Sequence, residues 1–199
     1  MKKLLLLLVS ILNIFCTKTS EDYFSLGNEK YKEGKYNEAI QYYNKAIELD
    51  PNYAAAYKNR GNAKSDLKDY YEAIKDYNKA IELDPNYAAA YYNRGNAKSE
   101  LKDYYEAIKD YNKAIELDPN CALAYNYRGN AKKHLGDYYE AINDYSKAIK
   151  LNPNYALAYY NRGLAKISLG DKKGGCLDLS KAGEMGLEKA YEAIKEYCK

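Results

Sequence analysis

The chain has 199 residues, a formal net charge of +3 at pH 7, 26 tyrosines and one histidine. This length allows one ordinary domain or a short array of repeats. Lys2 and Lys3 carry two of the three net charges, so the rest of the chain is nearly neutral and lacks the strongly basic face that nucleic-acid binding requires. We therefore expect no nucleic-acid partner.

The first predicted element is a leader over residues 1–16. Lys2 and Lys3 precede a mostly apolar run from Leu4 to Phe15, and Cys16 follows directly. The run is shorter than the roughly 20 residues of a membrane span and has the layout of a secretory signal. An apolar run followed by a cysteine and a polar segment resembles a bacterial lipoprotein signal.

The resemblance implies that Cys16 is lipidated and that the chain is anchored in a bacterial cell envelope, facing the periplasm or the cell surface. Asn13, Ile14 and Phe15 depart from the Leu and small residues that such signals favour before the cysteine. Ordinary secretion, an uncleaved anchor and a cytosolic chain therefore stay open as alternatives.

After the leader, the sequence repeats itself every 34 residues. The segment DYYEAIKDYNKAIELDPN occurs at residues 69–86 and again at residues 103–120. The four prolines share this spacing: Pro51, Pro85, Pro119 and Pro153. Repetition of this kind is typical of stacked equivalent units, each of which presents the same two faces to its neighbours.

Each repeat is predicted to contain two helices, because its apolar and small residues recur at steps of three and four. Asp69 followed by Glu72 forms a capping-box pattern before the second helix, and this pattern recurs in the next two repeats. The predicted helix pairs are 20–33/36–49, 54–67/70–83, 88–101/104–117, 122–135/138–151 and 156–169/172–184.

Small and aromatic residues form columns along the array. Gly61 stands four residues after Tyr57, and Ala73 stands four residues before Tyr77, in a pattern shared by the other repeats. A glycine and an alanine at these positions let two helices approach closely. This pattern resembles the tetratricopeptide repeat family.

The resemblance covers about residues 20–182 and implies an all-α fold, a right-handed α-solenoid of five helix hairpins with a C-terminal capping helix. The predicted domain spans residues 20–199. Its repeats are 20–53, 54–87, 88–121, 122–155 and 156–186, and the capping helix is 187–197.

Charged columns depart from the family pattern. Arginines appear in four first helices, aspartates appear in the matching second helices, and both are missing from the first repeat: Arg60 and Asp76, Arg94 and Asp110, Arg128 and Asp144, Arg162 and Asp178. We interpret each as a partly buried bidentate ion pair, with a functional basic stripe as the alternative. The column Lys30, Lys64, Lys98, Lys132 and Lys166 is expected to cover the helix seam with its aliphatic stems, while the ammonium groups reach water.

The last repeat loses the regular pattern, as expected where no further repeat stacks. Cys176 and Cys198 are placed at the open ends of a predicted antiparallel helix pair, so they could form a disulfide in an oxidising compartment. Cys121 replaces a tyrosine in its column and is expected to be a small packed thiol.

Catalytic chemistry finds no support in the sequence. His134 has no cysteine or histidine partner at zinc-ligand spacing, and the glycines are spaced as packing residues rather than as a phosphate loop. We therefore expect no catalytic residues, no metal site and no cofactor.

The family resemblance implies a concave groove lined by the first helices, which binds a partner's peptide or helix. Asparagine is a poor helix former and yet recurs in these helices, and its amide can both donate and accept hydrogen bonds. The alternative is that exposed asparagines are merely tolerated. The residues predicted to line the groove are Asn28, Lys58, Asn59, Asn62, Tyr92, Asn93, Asn96, Asn126, Asn130 and Tyr160.

We expect a membrane-tethered, non-enzymatic scaffold for protein partners. Self-association into a structural assembly is one alternative. A soluble co-chaperone-like adaptor is another, because Lys58, Asn62 and Asn93 match part of the family's carboxylate clamp; Leu123 and Tyr127 occupy the two places where that clamp needs cations.

Overall fold

A computed structural model describes residues 18–199, so the leader and Cys16 lie outside the described residues. Within this range the chain forms eleven α-helices and no β-strand. In chain order they are α1 (Ser20–Lys32), α2 (Tyr36–Leu49), α3 (Ala54–Asp66), α4 (Tyr70–Leu83), α5 (Ala88–Glu100), α6 (Tyr104–Leu117), α7 (Ala122–His134), α8 (Tyr138–Leu151), α9 (Ala156–Ser168), α10 (Lys172–Glu184) and α11 (Glu188–Tyr197).

The helices form two compact units, one that ends at Leu83 and one from Asp84 to Lys199. In each unit the first helix of a pair packs against the second, and that second helix packs against the first helix of the next pair. First helices also contact one another, α1 with α3 in the N-terminal unit and α5 with α7 and α7 with α9 in the C-terminal unit. The predicted all-α class and its consecutive helix pairs are confirmed. No helix of residues 18–199 has both the length and the apolarity needed to cross a membrane.

A glycine on the first helix receives the ring of a buried tyrosine from the second. A Cβ atom on Gly61 would lie 2.7 Å from Cε1 of Tyr77, whose side chain is 1% exposed. The contact recurs in three other repeats, as Gly27 with Tyr43, Gly95 with Tyr111 and Gly129 with Tyr145. The glycine column therefore allows the close approach that the sequence predicts.

The predicted ion pairs are confirmed. Arg60 donates from Nε and Nη2 to the two carboxylate oxygens of Asp76, at 2.9 and 2.6 Å. The same bidentate pair forms in the next three repeats, Arg94 with Asp110, Arg128 with Asp144 and Arg162 with Asp178. Arg60 also donates from Nη1 to Oδ1 of Asn44 at 2.6 Å, so it links its own hairpin to the preceding one.

The expectation that the lysine column reaches water is wrong in four repeats. Nζ of Lys64 lies 2.8 Å from Oδ2 of Asp76, and Lys98, Lys132 and Lys166 contact the equivalent aspartates. In the first repeat Tyr42 replaces the aspartate, and Lys30 pairs with Glu33 at 2.9 Å instead. Each buried carboxylate of the other repeats thus holds two cations.

The predicted capping box forms only in half in the second and third repeats, and in the fourth repeat the Asp137 side chain caps no backbone N–H. Oδ1 of Asp69 accepts the backbone N–H of Glu72 at 3.4 Å, while the Glu72 carboxylate pairs with Lys75. It does not receive the backbone N–H of Asp69, because that group already donates to the carbonyl oxygen of Lys64 at 2.9 Å. The tight turn between the two helices takes the donor that a complete box would need.

The C-terminal end is built differently from the repeats. Helix α11 packs against α10 and buries Ala190 and Ala193. A disulfide joins Cys176 on α10 to Cys198 after α11, with the two Cα atoms 5.8 Å apart. Cys121 is a free, half-buried thiol.

Candidate functional site

We call the row of first helices in each unit its first-helix face. The N-terminal unit places four of the predicted groove residues on α1 and α3: Asn28, Lys58, Asn59 and Asn62. The C-terminal unit places the other six on α5, α7 and α9: Tyr92, Asn93, Asn96, Asn126, Asn130 and Tyr160. Each set lies on helices that contact one another.

Four of these asparagines, Asn28, Asn62, Asn96 and Asn130, accept a hydrogen bond from a buried tyrosine. We call them the asparagine row. The hydroxyl of Tyr43 donates to Oδ1 of Asn28 at 2.9 Å, and that of Tyr77 donates to Oδ1 of Asn62 at 3.0 Å. The same bond forms in the C-terminal unit, from Tyr111 to Asn96 and from Tyr145 to Asn130, both at 2.8 Å.

The bond gives the asparagines a structural role that the sequence reasoning missed. A buried phenol hydroxyl without a partner is destabilising, and the asparagine supplies the acceptor. The signal was available, because asparagine and tyrosine stand 15 residues apart in each of four repeats. Since each Oδ1 accepts from a tyrosine, the row offers a ligand chiefly its amide N–H donors.

A cavity of about 250 Å³ opens beside this row in the N-terminal unit. Three predicted groove residues line it, Asn28, Asn59 and Asn62, together with Tyr31, Lys32 and Tyr43, which the sequence did not predict as groove residues. Oδ1 of Asn28 also accepts from Nδ2 of Asn59, at 2.7 Å. Burial lowers the pKa of the nearby Lys58 amine.

Asn126 is buried, whereas the sequence predicts that it lines an open groove. Its side chain is 2% exposed, and its Oδ1 accepts a hydrogen bond from Nδ2 of Asn161 at 3.1 Å. Both groups pack between α7 and α9, so the Asn126 amide contacts its neighbour in the protein rather than an open surface.

Two of the predicted groove residues on the first-helix face of the C-terminal unit are aromatic, Tyr92 and Tyr160. The Tyr92 ring packs against Tyr111 and Tyr127, with centroids 6.2 and 5.8 Å apart. Burial raises the pKa of the Tyr92 phenol well above its usual value. Tyr160 lies under the ammonium group of Lys189, which is 4.4 Å from the ring centroid.

Residues 18–199 contain no group of three or more His, Cys, Asp or Glu side chains that could hold a metal ion. The ring of His134 stacks on Tyr104 at 4.7 Å, and burial lowers the histidine pKa.

Comparison with known proteins agrees with this architecture. Two profiles described as tetratricopeptide repeat match residues 54–87, 88–121 and 110–143, and one described as TPR repeat matches residues 27–67 and 129–170. A search of curated proteins found no match.

Three solved structures illustrate the similarity. A crystal structure of MamA is 30% identical with a TM-score of 0.74, and the match covers 83% of this chain and 96% of that one. YrrB, described as a TPR protein with an unusual peptide-binding site, is 25% identical with a TM-score of 0.71 over 87% and 91% of the two chains. The first TPR of Spaghetti (RPAP3), bound to the HSP90 peptide SRMEEVD, is 36% identical with a TM-score of 0.59 over 59% and 94%.

Stacked helix pairs with a repeated polar row on their first helices define an α-helical repeat protein. The kind of repeat is identified by its period of 34 residues, by the glycine–tyrosine contacts and by these matches. The chain belongs to the tetratricopeptide repeat family.

Proposed function

We propose that this protein is a non-enzymatic interaction scaffold, which binds a partner's extended peptide or helix on its first-helix faces. The asparagine row carries the proposal, because it repeats one oriented amide in each of four hairpins, and two of these residues, Asn28 and Asn62, line an open cavity in the N-terminal unit. YrrB and the RPAP3 domain, which are described with a peptide-binding site and a bound peptide, support the same use of the fold.

The fixed amide orientation suits the main chain of a peptide. An extended peptide offers a carbonyl oxygen at every residue, and amide N–H donors recognise such oxygens whatever the side chain. A net hydrogen bond contributes about 1 kcal/mol, so several repeats together give useful affinity without demanding one sequence.

The test separates ligand binding from the structural role of the row. In the triple variant Asn62→Asp/Asn96→Asp/Asn130→Asp, each side chain keeps an oxygen for its tyrosine but loses the amide donors. We expect binding to an array of extended peptides to weaken by about 10-fold or more, since each lost hydrogen bond removes roughly fivefold.

The matched control is Asn52→Asp/Asn86→Asp/Asn120→Asp, which makes the same charge change at exposed loop asparagines. Equal binding by both triple variants would contradict the groove assignment. The peptide SRMEEVD on the same array tests the co-chaperone-like alternative, because selective binding of this peptide would support that alternative.

We further propose that Cys16 is lipidated and tethers the scaffold to a bacterial membrane, facing the periplasm or the cell surface. The leader composition supports this location. Expressed in a bacterium, the wild type should incorporate labelled palmitate and fractionate with membranes, whereas Cys16→Ser should do neither and Cys121→Ser should behave as the wild type. Unchanged fractionation of Cys16→Ser would exclude the lipid tether.

Self-association is a second candidate, favoured by apolar side chains on the last two helices. Leu177 is 66% exposed and Tyr191 is 51% exposed. Light scattering of the chain from residue 18 onward over a range of concentrations tests it. A monomer at all concentrations removes this candidate and leaves the peptide-binding proposal intact.

A further inference from the structure

Four positions at the start of α10 break the repeat around one surface cavity. Lys172 and Lys173 stand where the three preceding second helices begin with two tyrosines, and Cys176 stands where the other second helices have isoleucine. Leu177 takes a position that is polar in the other hairpins, and it is 66% exposed. The cavity has a volume of about 460 Å³, which suits a small molecule. It is lined by these four residues together with Ser180 and Cys198.

The disulfide between Cys176 and Cys198 lies at the wall of this cavity. Both cysteines line the cavity, and both are half-buried rather than covered by the chain. A thiol can open a disulfide only where it reaches one of the sulfur atoms, so exposed disulfides are the labile ones. A small molecule that enters the cavity therefore meets a bond with which it can react.

Two cations flank the bond. Lys172 and Lys173 stand four and three residues before Cys176 on α10, a spacing that puts the three side chains on one side of the helix. Nζ of Lys172 also donates to the backbone carbonyl oxygen of Lys199, the residue after Cys198. Positive charges beside a cysteine stabilise its thiolate and attract anions.

We propose that this cavity is a thiol–disulfide exchange site, at which a small anionic thiol opens the bond between Cys176 and Cys198. The incoming thiolate attacks Sγ of Cys198 and forms a new S–S bond with it. The bond to Cys176 breaks, and its electron pair leaves on Sγ of Cys176 as a thiolate beside Lys172 and Lys173. This direction is favoured because the better-stabilised thiolate is the better leaving group.

A second molecule of the thiol completes the reaction. It attacks the mixed disulfide on Cys198, so that the small molecule leaves as its own disulfide and Cys198 leaves as a thiolate. Two thiols are oxidised, one protein disulfide is reduced, and the two cysteines take up from water the two protons that the small thiols released. The reaction removes the covalent link between α10 and the end of α11. It goes beyond the proposed scaffold function and does not rest on peptide binding.

The experiment compares three small thiols of different charge on the oxidised full chain. They are 3-mercaptopropionate, which is anionic, 2-mercaptoethanol, which is neutral, and cysteamine, which is cationic. Alkylation at timed intervals, followed by peptide mass mapping, measures the rate at which the bond opens. The ratio of the wild-type rate to the Lys172→Gln/Lys173→Gln rate cancels the intrinsic reactivity of each thiol. We expect this ratio to be about fivefold higher for the anionic thiol than for the cationic one, since each exposed charge contributes little by itself.

Two further variants control for charge and for folding. Lys147→Gln/Lys150→Gln removes two exposed lysines from α8 and should give a ratio near one for every thiol. Lys173→Gln alone, which keeps the contact of Lys172 with Lys199, should change the rates in the same direction by a smaller factor.

The trapped intermediate tests the direction of attack. Mass mapping should find the small thiol on Cys198 and the alkyl group on Cys176. A ratio that is the same for all three thiols would overturn the anionic selectivity, and an adduct chiefly on Cys176 would overturn the assigned direction. A bond that opens only in denaturant would overturn the exchange site itself, and the peptide-binding proposal would be unaffected.

Discussion

Four buried aspartates hold the charged groups inside the array: Asp76, Asp110, Asp144 and Asp178. Each is buried, at 4 to 6% exposed, and each receives an arginine and a lysine from the first helix of its hairpin. Two half-buried cations around one carboxylate are stable only while that carboxylate is present.

We therefore predict that Asp76→Ala lowers the free energy of unfolding by about 3–5 kcal/mol, since it leaves Arg60 and Lys64 without their anion. Chemical denaturation followed by circular dichroism measures the loss. As a control, Asp137→Ala removes an exposed aspartate whose side chain caps no helix and should change stability by less than about 0.5 kcal/mol.

The first repeat provides a second comparison. It carries Leu26 and Tyr42 where the other repeats carry the ion pair. The double variant Arg60→Leu/Asp76→Tyr should be more stable than Asp76→Ala alone, because it removes the arginine together with its partner. A double variant that is less stable than the single one would show that packing, rather than the unpaired charge, determines the loss of stability.

At the scale of the elements, the capping helix depends on features that the repeats do not use. Its sequence contributes two buried alanines, Ala190 and Ala193, and the disulfide between Cys176 and Cys198 fixes its far end. The Cys176–Cys198 link spans 22 residues of sequence. A loop of this size restricts the unfolded chain by about 3 kcal/mol in the chain-entropy picture.

Removal of the disulfide should therefore loosen α11 before the rest of the chain. In Cys176→Ser/Cys198→Ser we expect faster amide hydrogen exchange across α11, with α7 and α8 protected as in the wild type. Cys121→Ser is the matched control, because Cys121 is not bonded to another cysteine. Equal exchange in α11 of the double variant and the wild type would contradict a role for the disulfide in holding this helix.

At the scale of the whole molecule, the buried tyrosines link stability to alkaline pH. Burial raises the pKa of Tyr43 from 10.0 to about 12 and raises those of Tyr77, Tyr111 and Tyr145 further. The folded state therefore keeps these protons above pH 10, where the unfolded chain releases them. Their stabilisation is fully present below about pH 10 and is lost as the pH rises.

We predict cooperative unfolding by about pH 12, because each such tyrosine withdraws about 1.4 kcal/mol per pH unit above its unfolded pKa. Phenolate absorbance and circular dichroism should change together. Tyr71→Phe/Tyr105→Phe/Tyr139→Phe, which alters exposed tyrosines, should leave the midpoint unchanged. Phenolate formation near pH 10 by the buried tyrosines, with helix content intact, would contradict the prediction.

The sequence by itself determined the helices, their pairing and the ion pairs, because a period of 34 residues imposes one local pattern on every hairpin. The close helix packing at Gly61, Ala73 and Tyr77 could be predicted from this pattern. The ion pair of Arg60 with Asp76 could be predicted too, because the arginine and aspartate columns change together in the first repeat.

Only the tertiary structure decided how the side chains on each face are oriented. It showed that the asparagine row accepts hydrogen bonds from buried tyrosines and that Asn126 is buried against Asn161. The contact of Asn126 with Asn161 joins the first helices of two repeats, so the period within a hairpin carries no information about it. The 15-residue spacing of asparagine and tyrosine is visible in the sequence, but it indicates a hydrogen bond only once the tyrosine is known to be buried.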